Sequence, residues 1–155
     1  MLGVRGSFPV TMDAKGRISL PAKLRERLRA RDESLLVCTS FKGRIWGYTE
    51  DVWERYEGWV MEDSPFEENT MLFAQAFLAD AADVSLDNQG RILIPPGLRE
   101  YAGLEKDLVI ANLPDHIEIW SAERWQQHRA RVMEQVDRAG GLDGLFSRRK
   151  EQRGE

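Results

Sequence analysis

A group of basic side chains near the start of the chain has the clearest chemical meaning. Lys15 and Arg17 flank a glycine, Lys23 and Arg25 follow shortly afterwards, and Arg5 precedes them. Arginine carries a planar fork of N–H donors that suits phosphate and the edge of guanine, and lysine adds a compact positive charge. We therefore take these five residues as candidate nucleic-acid contacts.

The net charge of the whole chain, −4, does not reveal this group. Residues 1–31 contain eight basic and two acidic residues, a balance of +6, so the remainder of the chain carries −10. A basic end on an acidic body can present one face to phosphates. A merely solvated, arginine-rich helix face explains the same pattern, so charge alone leaves both interpretations open.

Residue types that support catalysis or metal binding are sparse. His116 and His128 are the two histidines and do not have the spacing of metal ligands. Cys38 is the single cysteine, which rules out an intrachain disulfide. We find no glycine-rich phosphate loop, serine nucleophile elbow or zinc signature, and the carboxylates are scattered. The sequence thus predicts a protein that is not an enzyme, with no cofactor, no metal and no small-molecule substrate.

An internal repeat organises the chain. Residues 12–21 reappear as residues 86–95, and between 13–28 and 87–102 eight of sixteen positions are identical. The match continues downstream with a small gap, so the repeated unit is about 45 residues long. Chance does not produce this similarity within one short chain, and the protein must contain two copies of one structural unit.

Each copy predicts a strand, a turn, a strand and a short helix. Alternation of Phe8, Val10 and Met12 is typical of a half-buried strand. The motif Asp-x-x-Gly-Arg follows, and Gly16 and Gly90 suit a turn that needs a positive φ. A proline then ends the second strand and begins the helix. Two more strands complete each copy, at 35–39 and 44–48 and at 108–112 and 117–120.

The two Asp-x-x-Gly-Arg turns differ in their charge surroundings. In each copy we expect the aspartate to cap the turn and pair with the arginine. Residues 13–31 hold seven basic and two acidic residues, whereas residues 87–107 hold three and four. This contrast predicts that the first copy faces phosphate while the second mainly completes the fold or a subunit contact. Arg17 is therefore the stronger DNA candidate and Arg91 the weaker one.

Neither copy is large enough to bury a core by itself, because four short strands leave open edges. Two copies in one chain can interleave their hairpins. The expected fold is α+β, mainly β: a pseudo-dimeric, swapped-hairpin (double-split) barrel with flanking helices. The expected organisation is a first module at 5–51, a helical spacer at 52–82 interrupted at Ser64-Pro65, a second module at 83–126, a C-terminal helix at 127–139 and a mobile tail at 140–155.

Targeting and membrane signals are not evident in the sequence. Residues 1–17 lack an apolar run of signal-peptide length, and no run of about 18 apolar residues occurs. We expect a cytoplasmic protein with no membrane partner.

The repeated pattern Asp-x-x-Gly-Arg-Ile-x-[Leu/Ile]-Pro-x-x-Leu-Arg-Glu resembles AbrB-like transition-state regulators and related antitoxins. Two copies at this spacing, with a helical spacer and the stretch at 98–104, are similar to the MraZ family from about residue 5 to about residue 138. The resemblance implies a ring-shaped homo-oligomer that binds direct repeats of double-stranded DNA in the promoter of the division and cell wall gene cluster. It further implies a repressor that associates with the nucleoid.

The resemblance also suggests individual roles. It makes Arg17 the expected DNA contact, and Arg25 matches a helix arginine that contacts DNA in AbrB-like proteins. One departure is that residues 67–70 lack the basic side chains often found before the second repeat. Two alternatives stay open: an antitoxin-like protein-interaction module of the same fold, and a structural ring protein without DNA. Antitoxins of this kind usually carry one module and an acidic tail, whereas this chain has two modules and basic residues in its tail.

Overall fold

A computed structural model describes residues 2–64 and 66–154 and confirms an α+β protein that is mainly sheet. The strands are short and antiparallel, and the helices lie between and after them. In chain order the elements are β1 (Gly6–Thr11), β2 (Arg17–Ser19), α1 (Ala22–Ala30), β3 (Leu35–Phe41), β4 (Arg44–Tyr48), α2 (Glu50–Glu62), α3 (Glu68–Phe73), a π-helical segment (Ala74–Leu78), β5 (Ala82–Ser85), β6 (Arg91–Leu93), α4 (Pro96–Ala102), β7 (Asp107–Asn112), β8 (Ile117–Ser121), α5 (Ala122–Arg138) and α6 (Gly141–Arg153).

Each repeat supplies four strands and one helix, and the spacer between them is occupied by α2, α3 and the π-helical segment. The interruption predicted at Ser64-Pro65 falls partly on Pro65, which lies outside the described residues. On either side of it, α2 ends at Glu62 and α3 begins at Glu68. The limits of the two modules and the spacer stay a prediction.

The C-terminal region contains two helices. Helix α5 spans Ala122–Arg138, and α6 spans Gly141–Arg153 within the segment 140–155. The mobility expected of that segment stays a prediction. Gly140 and Gly141 have φ values of +86° and +77°, which end α5. The leucine and charged residues that follow are good helix formers, so a new helix starts there. Of the helices in the described residues, none combines the length and apolar character needed to cross a membrane.

The strands form one six-stranded sheet, in the order β1-β7-β8-β4-β3-β5, and one two-stranded ribbon of β2 and β6. Four of the six strand pairings join the two repeats: β1 with β7, β3 with β5, β4 with β8 and β2 with β6. Both sheets are open within residues 2–64 and 66–154, so the pairings there do not close a barrel. The two repeats are therefore interleaved rather than placed side by side.

The core is shared between the repeats. Ile18 of β2 and Ile92 of β6 face each other in the ribbon and are 0% and 1% exposed. Leu24 of α1 and Leu98 of α4 are buried in the same cluster. Burial of apolar area is the main favourable term in folding, so this arrangement explains why the unit occurs twice.

The chain divides into two compact units between Ala122 and Glu123. The first contains both repeats and the spacer, and the second contains most of α5 together with α6. The candidate DNA contacts all belong to the first unit.

A polar network surrounds His116, which the sequence analysis treats only as lacking metal-ligand spacing. Its Nδ1 lies 2.7 Å from Asp115 Oδ1, and its Nε2 lies 3.0 Å from Glu118 Oε2. Arg44 of β4 donates to Glu118 Oε1 at 3.2 Å, and the Tyr56 hydroxyl of α2 donates to Asp115 at 2.9 Å. Burial disfavours the charged imidazole, but the hydrogen bonds to Glu118 and Asp115 outweigh it and raise the pKa of His116.

This network predicts a pH-dependent stability. A raised folded-state pKa contributes stability that is complete below about pH 6.5, the usual value for unfolded histidine, and is lost as the pH rises through the folded-state pKa. The pKa values of Asp115 and Glu118 are lowered, so those groups titrate in the acid range instead. We expect the free energy of unfolding of the wild type to fall as the pH rises above about 6.5, and that of His116→Gln to change less. Urea unfolding of the wild type and of His116→Gln across this pH range measures the two changes. An equal dependence of the free energy of unfolding on pH in both proteins would contradict the assignment.

Candidate nucleic-acid interface

The first basic turn is held by Asp13. One oxygen of its carboxylate accepts hydrogen bonds from the backbone N–H groups of Lys15 at 3.0 Å and Arg17 at 2.9 Å. The other oxygen accepts from Arg17 Nε at 2.7 Å. The backbone hydrogen bond from Arg17 is the main cause that lowers the pKa of Asp13, so the carboxylate stays charged. The predicted role of the aspartate as turn cap and arginine partner is confirmed.

The second turn has the same geometry. Asp87 accepts from the backbone N–H groups of Gln89 and Arg91, both at 2.9 Å, and Arg91 Nε donates to its other oxygen at 2.7 Å. Gly16 and Gly90 have φ values of +89° and +74°, as the predicted turns require. The two copies therefore present their arginines in equivalent ways.

Both arginines lie on the outer surface of the two-stranded ribbon. Because side chains alternate along a strand and Ile18 and Ile92 point into the core, their neighbours point outward. The side chains of Arg17 and Arg91 are 33% and 28% exposed. Arg17 pairs with Leu93, two residues from Arg91, which puts the two arginines about 7–8 Å apart between Cα atoms. We call this surface, formed by Arg17, Ser19, Arg91 and Leu93, the ribbon face.

The guanidinium groups on the ribbon face retain donors. In each arginine Nε is used by the aspartate of its own turn. Within residues 2–64 and 66–154, the two terminal nitrogens of Arg17 and of Arg91 have no hydrogen-bond acceptor. These forks of free N–H groups can bind a phosphate or a base edge.

The structure places Arg25 at the second turn, away from the turn that carries Arg17. The backbone N–H of Leu20 donates to the Gly90 carbonyl at 3.2 Å, so the chain enters α1 beside the second turn. The side chain of Arg25 then crosses directly over Gly90, and Lys23 is exposed at the start of α1. Strand exchange therefore separates Arg25 from Arg17, although both belong to the segment 13–31. The division of labour expected between the two copies stays a prediction.

A reciprocal contact occurs at the first turn. The backbone N–H of Ile94 donates to the Gly16 carbonyl at 3.0 Å, and the Arg99 guanidinium from α4 lies against Gly16. Each turn therefore receives an arginine from the helix of the other repeat. The first turn holds Lys15, Arg17 and Arg99 with Asp13, and the second holds Arg91 and Arg25 with Asp87.

Arg5 is not brought to either turn. It is exposed and donates to the Gly3 carbonyl at 3.3 Å. Strand β1 separates it from Asp13, a distance of about 26 Å along an extended chain. A contact between Arg5 and nucleic acid would have to be made apart from the ribbon face.

The fold and this surface define a class of protein: a tandem-repeat α+β protein whose two interleaved strand–turn–strand–helix units present a basic ribbon. A family profile described as "MraZ protein, putative antitoxin-like" matches residues 4–75 and 77–140. The chain belongs to the MraZ family.

Three relatives illustrate how far the similarity extends, and each is named transcriptional regulator MraZ. The protein from Methylobacillus flagellatus is 37% identical over 144 residues, which cover 91% of this chain and 97% of the relative. The protein from Desulforapulum autotrophicum is 37% identical over 143 residues, covering 92% and 97%. The protein from Lactiplantibacillus plantarum is 39% identical over 133 residues, covering 85% and 92%.

Proposed function

We propose that this chain is a transcriptional regulator that binds double-stranded DNA through the ribbon face. The observation that carries the proposal is that Arg17 and Arg91 share one outward surface and keep their terminal nitrogens free. The names of the relatives support a role in transcription.

A two-stranded antiparallel ribbon fits the major groove of B-form DNA. On the ribbon face, the guanidinium forks of Arg17 and Arg91 would bind base edges or phosphates. Lys15 at the first turn and Lys23 at the start of α1 would neutralise phosphates. Phosphate contacts supply affinity independent of sequence, whereas base-edge contacts distinguish one site from another.

The shared core has a role in this proposal. We infer that the ribbon and the six-stranded sheet together form the expected swapped-hairpin, double-split pseudo-barrel. The support is that four of the six pairings join the repeats and that Ile18 and Ile92 are buried beneath the ribbon. A binding surface built on a packed core keeps its side chains in place before DNA arrives, which lowers the entropic cost of binding.

We further propose a ring of identical chains that binds direct repeats in the promoter of the division and cell wall gene cluster. Such a protein would be a repressor, cytoplasmic and associated with the nucleoid. Three large apolar side chains of the spacer support self-association, because Trp59, Met61 and Phe66 are 59%, 83% and 94% exposed. One ribbon face reads few base pairs, and several on one ring would gain about 10²–10⁴ in avidity.

An antitoxin-like interaction with a partner protein is the alternative, and the family description favours it. It predicts that a small protein co-purifies with this chain and that the chain alone binds DNA weakly.

Footprinting over the DNA upstream of the chain's own gene tests the proposal. We expect protection of evenly spaced repeats and an affinity that falls linearly with the logarithm of salt concentration, with a slope of about −0.9 per neutralised phosphate. Light scattering of the same sample should give a multiple of the 17.8 kDa chain mass. A duplex with the repeats scrambled is the control. Absence of protection together with salt-independent binding would reject the proposal.

A further inference from the structure

We propose that Arg99, a residue of the second repeat, is a positioning residue for the first basic turn. The inference rests on the proposed DNA-binding function, because it concerns how Lys15 and Arg17 are presented. It makes the first DNA-contacting turn a composite of both repeats.

The Arg99 guanidinium lies so close to Gly16 that a side chain at this position would displace it. A Cβ atom at Gly16 would lie 2.5 Å from Arg99 Nη1, 2.6 Å from Cζ and 2.9 Å from Nε. The flat guanidinium therefore lies against the backbone of the turn, next to the residue that separates Lys15 from Arg17. Gly16 has a φ of +89°, and glycine is otherwise free over a wide range, so this contact restricts the most adaptable residue of the turn.

The second turn has a related but different contact. At Gly90 the atom nearest the Cβ position is Arg25 Cδ, followed by Cγ at 3.2 Å and Nε at 3.3 Å. The end of the Arg25 stem therefore crosses Gly90, whereas at the first turn the Arg99 guanidinium itself lies over Gly16.

A contribution to the stability of the fold does not explain why position 99 is an arginine. Among the residues that the structure describes, its buried Nε has no hydrogen-bond partner, and burying an unsatisfied donor costs free energy. The guanidinium also adds a positive charge beside Lys15 and Arg17. A side chain kept at such a cost is typical of sites where function is favoured over stability.

The proposed action is preorganisation. With the guanidinium against Gly16, the turn cannot collapse into the space behind it, and Lys15 and Arg17 stay exposed in one arrangement. Ordering them before DNA binds reduces the entropic cost of association. Arg99 would act through these residues, so its loss should weaken binding without removing a phosphate contact.

Arg99→Gln and Arg99→Lys test the proposal, with Arg55→Gln on α2 as a control that removes one exposed charge elsewhere. We expect Arg99→Gln to bind the upstream duplex about tenfold more weakly, with the salt slope unchanged. Its melting temperature should be equal to or above that of the wild type. Arg99→Lys should not restore DNA affinity, because lysine keeps the positive charge but lacks the planar guanidinium. Arg55→Gln should bind as the wild type does.

Each other result overturns the inference. Unchanged DNA affinity of Arg99→Gln would show that Arg99 has no role in binding. A salt slope smaller in magnitude by about 0.9 would show that Arg99 contacts a phosphate directly. Rescue by lysine would assign the effect to charge. A lowered melting temperature, or failure to fold, would make Arg99 structural. These outcomes leave the proposed function intact, whereas salt-independent binding by wild type and Arg55→Gln would reject that function itself.

Discussion

Arg17→Ala is expected to abolish binding to the upstream DNA, with a loss of at least about 100-fold. A good bidentate arginine contact is worth about 1–3 kcal/mol. In a ring every copy loses its contact at once, so the effect multiplies through avidity. The variant also leaves Asp13 as an unpaired negative charge on the turn, which repels phosphate. Gel-shift affinity measures the loss.

The fold should survive this substitution. The Arg17–Asp13 pair is partly exposed, and exposed ion pairs contribute little to stability. Thermal melting and light scattering should therefore match the wild type. Binding unchanged from the wild type would refute the assignment of the ribbon face.

Arg91→Ala is the matched companion variant. Its turn has the same hydrogen bonds and it lies on the same ribbon face, so the structure predicts a comparable loss of affinity. A loss confined to Arg17→Ala would instead support the division of labour inferred from the charge of the two sequence segments.

Ile18→Ala is expected to lower the free energy of unfolding by about 2–5 kcal/mol, because truncating a buried side chain leaves a cavity. Ile18 is 0% exposed and lies opposite Ile92 between the two repeats, so the shared core has little capacity to fill the space. That loss is a large part of the stability of an ordinary domain.

Leu93→Ala on the same ribbon is the control, since Leu93 is 55% exposed and its truncation should change stability by less than about 0.5 kcal/mol. Urea unfolding of both variants gives the comparison. Equal effects would show that the ribbon does not cover a shared core.

Local features of this protein can be predicted from its sequence. The duplicated motif identifies two equivalent units, and the short-range signals in Asp-x-x-Gly-Arg predict a turn capped by Asp13 with positive φ at Gly16. Such features depend on a few neighbouring residues, whose backbone preferences and hydrogen bonds follow from the order of the chain. The arginine-rich first segment likewise makes nucleic acid a candidate partner from residue types and spacing.

Strand exchange was decided by the tertiary structure. The sequence predicts that the repeats interleave but does not show which side chains this brings together. Arg25 is expected at its own turn and lies at the other one, and the sequence marks Arg99 only as the equivalent of Arg25 in the second copy. The network around His116 joins strand, loop and helix residues far apart in sequence.

Some features can be predicted from the sequence and others cannot, because each feature is determined over a different distance along the chain. A turn is determined within about four residues. The place of a side chain on the surface depends on pairings between segments 74 residues apart, which form because both repeats must bury one core together. The sequence by itself therefore determined the repeat, its turns and its basic character, and only the packed fold decided that each turn is built from both copies.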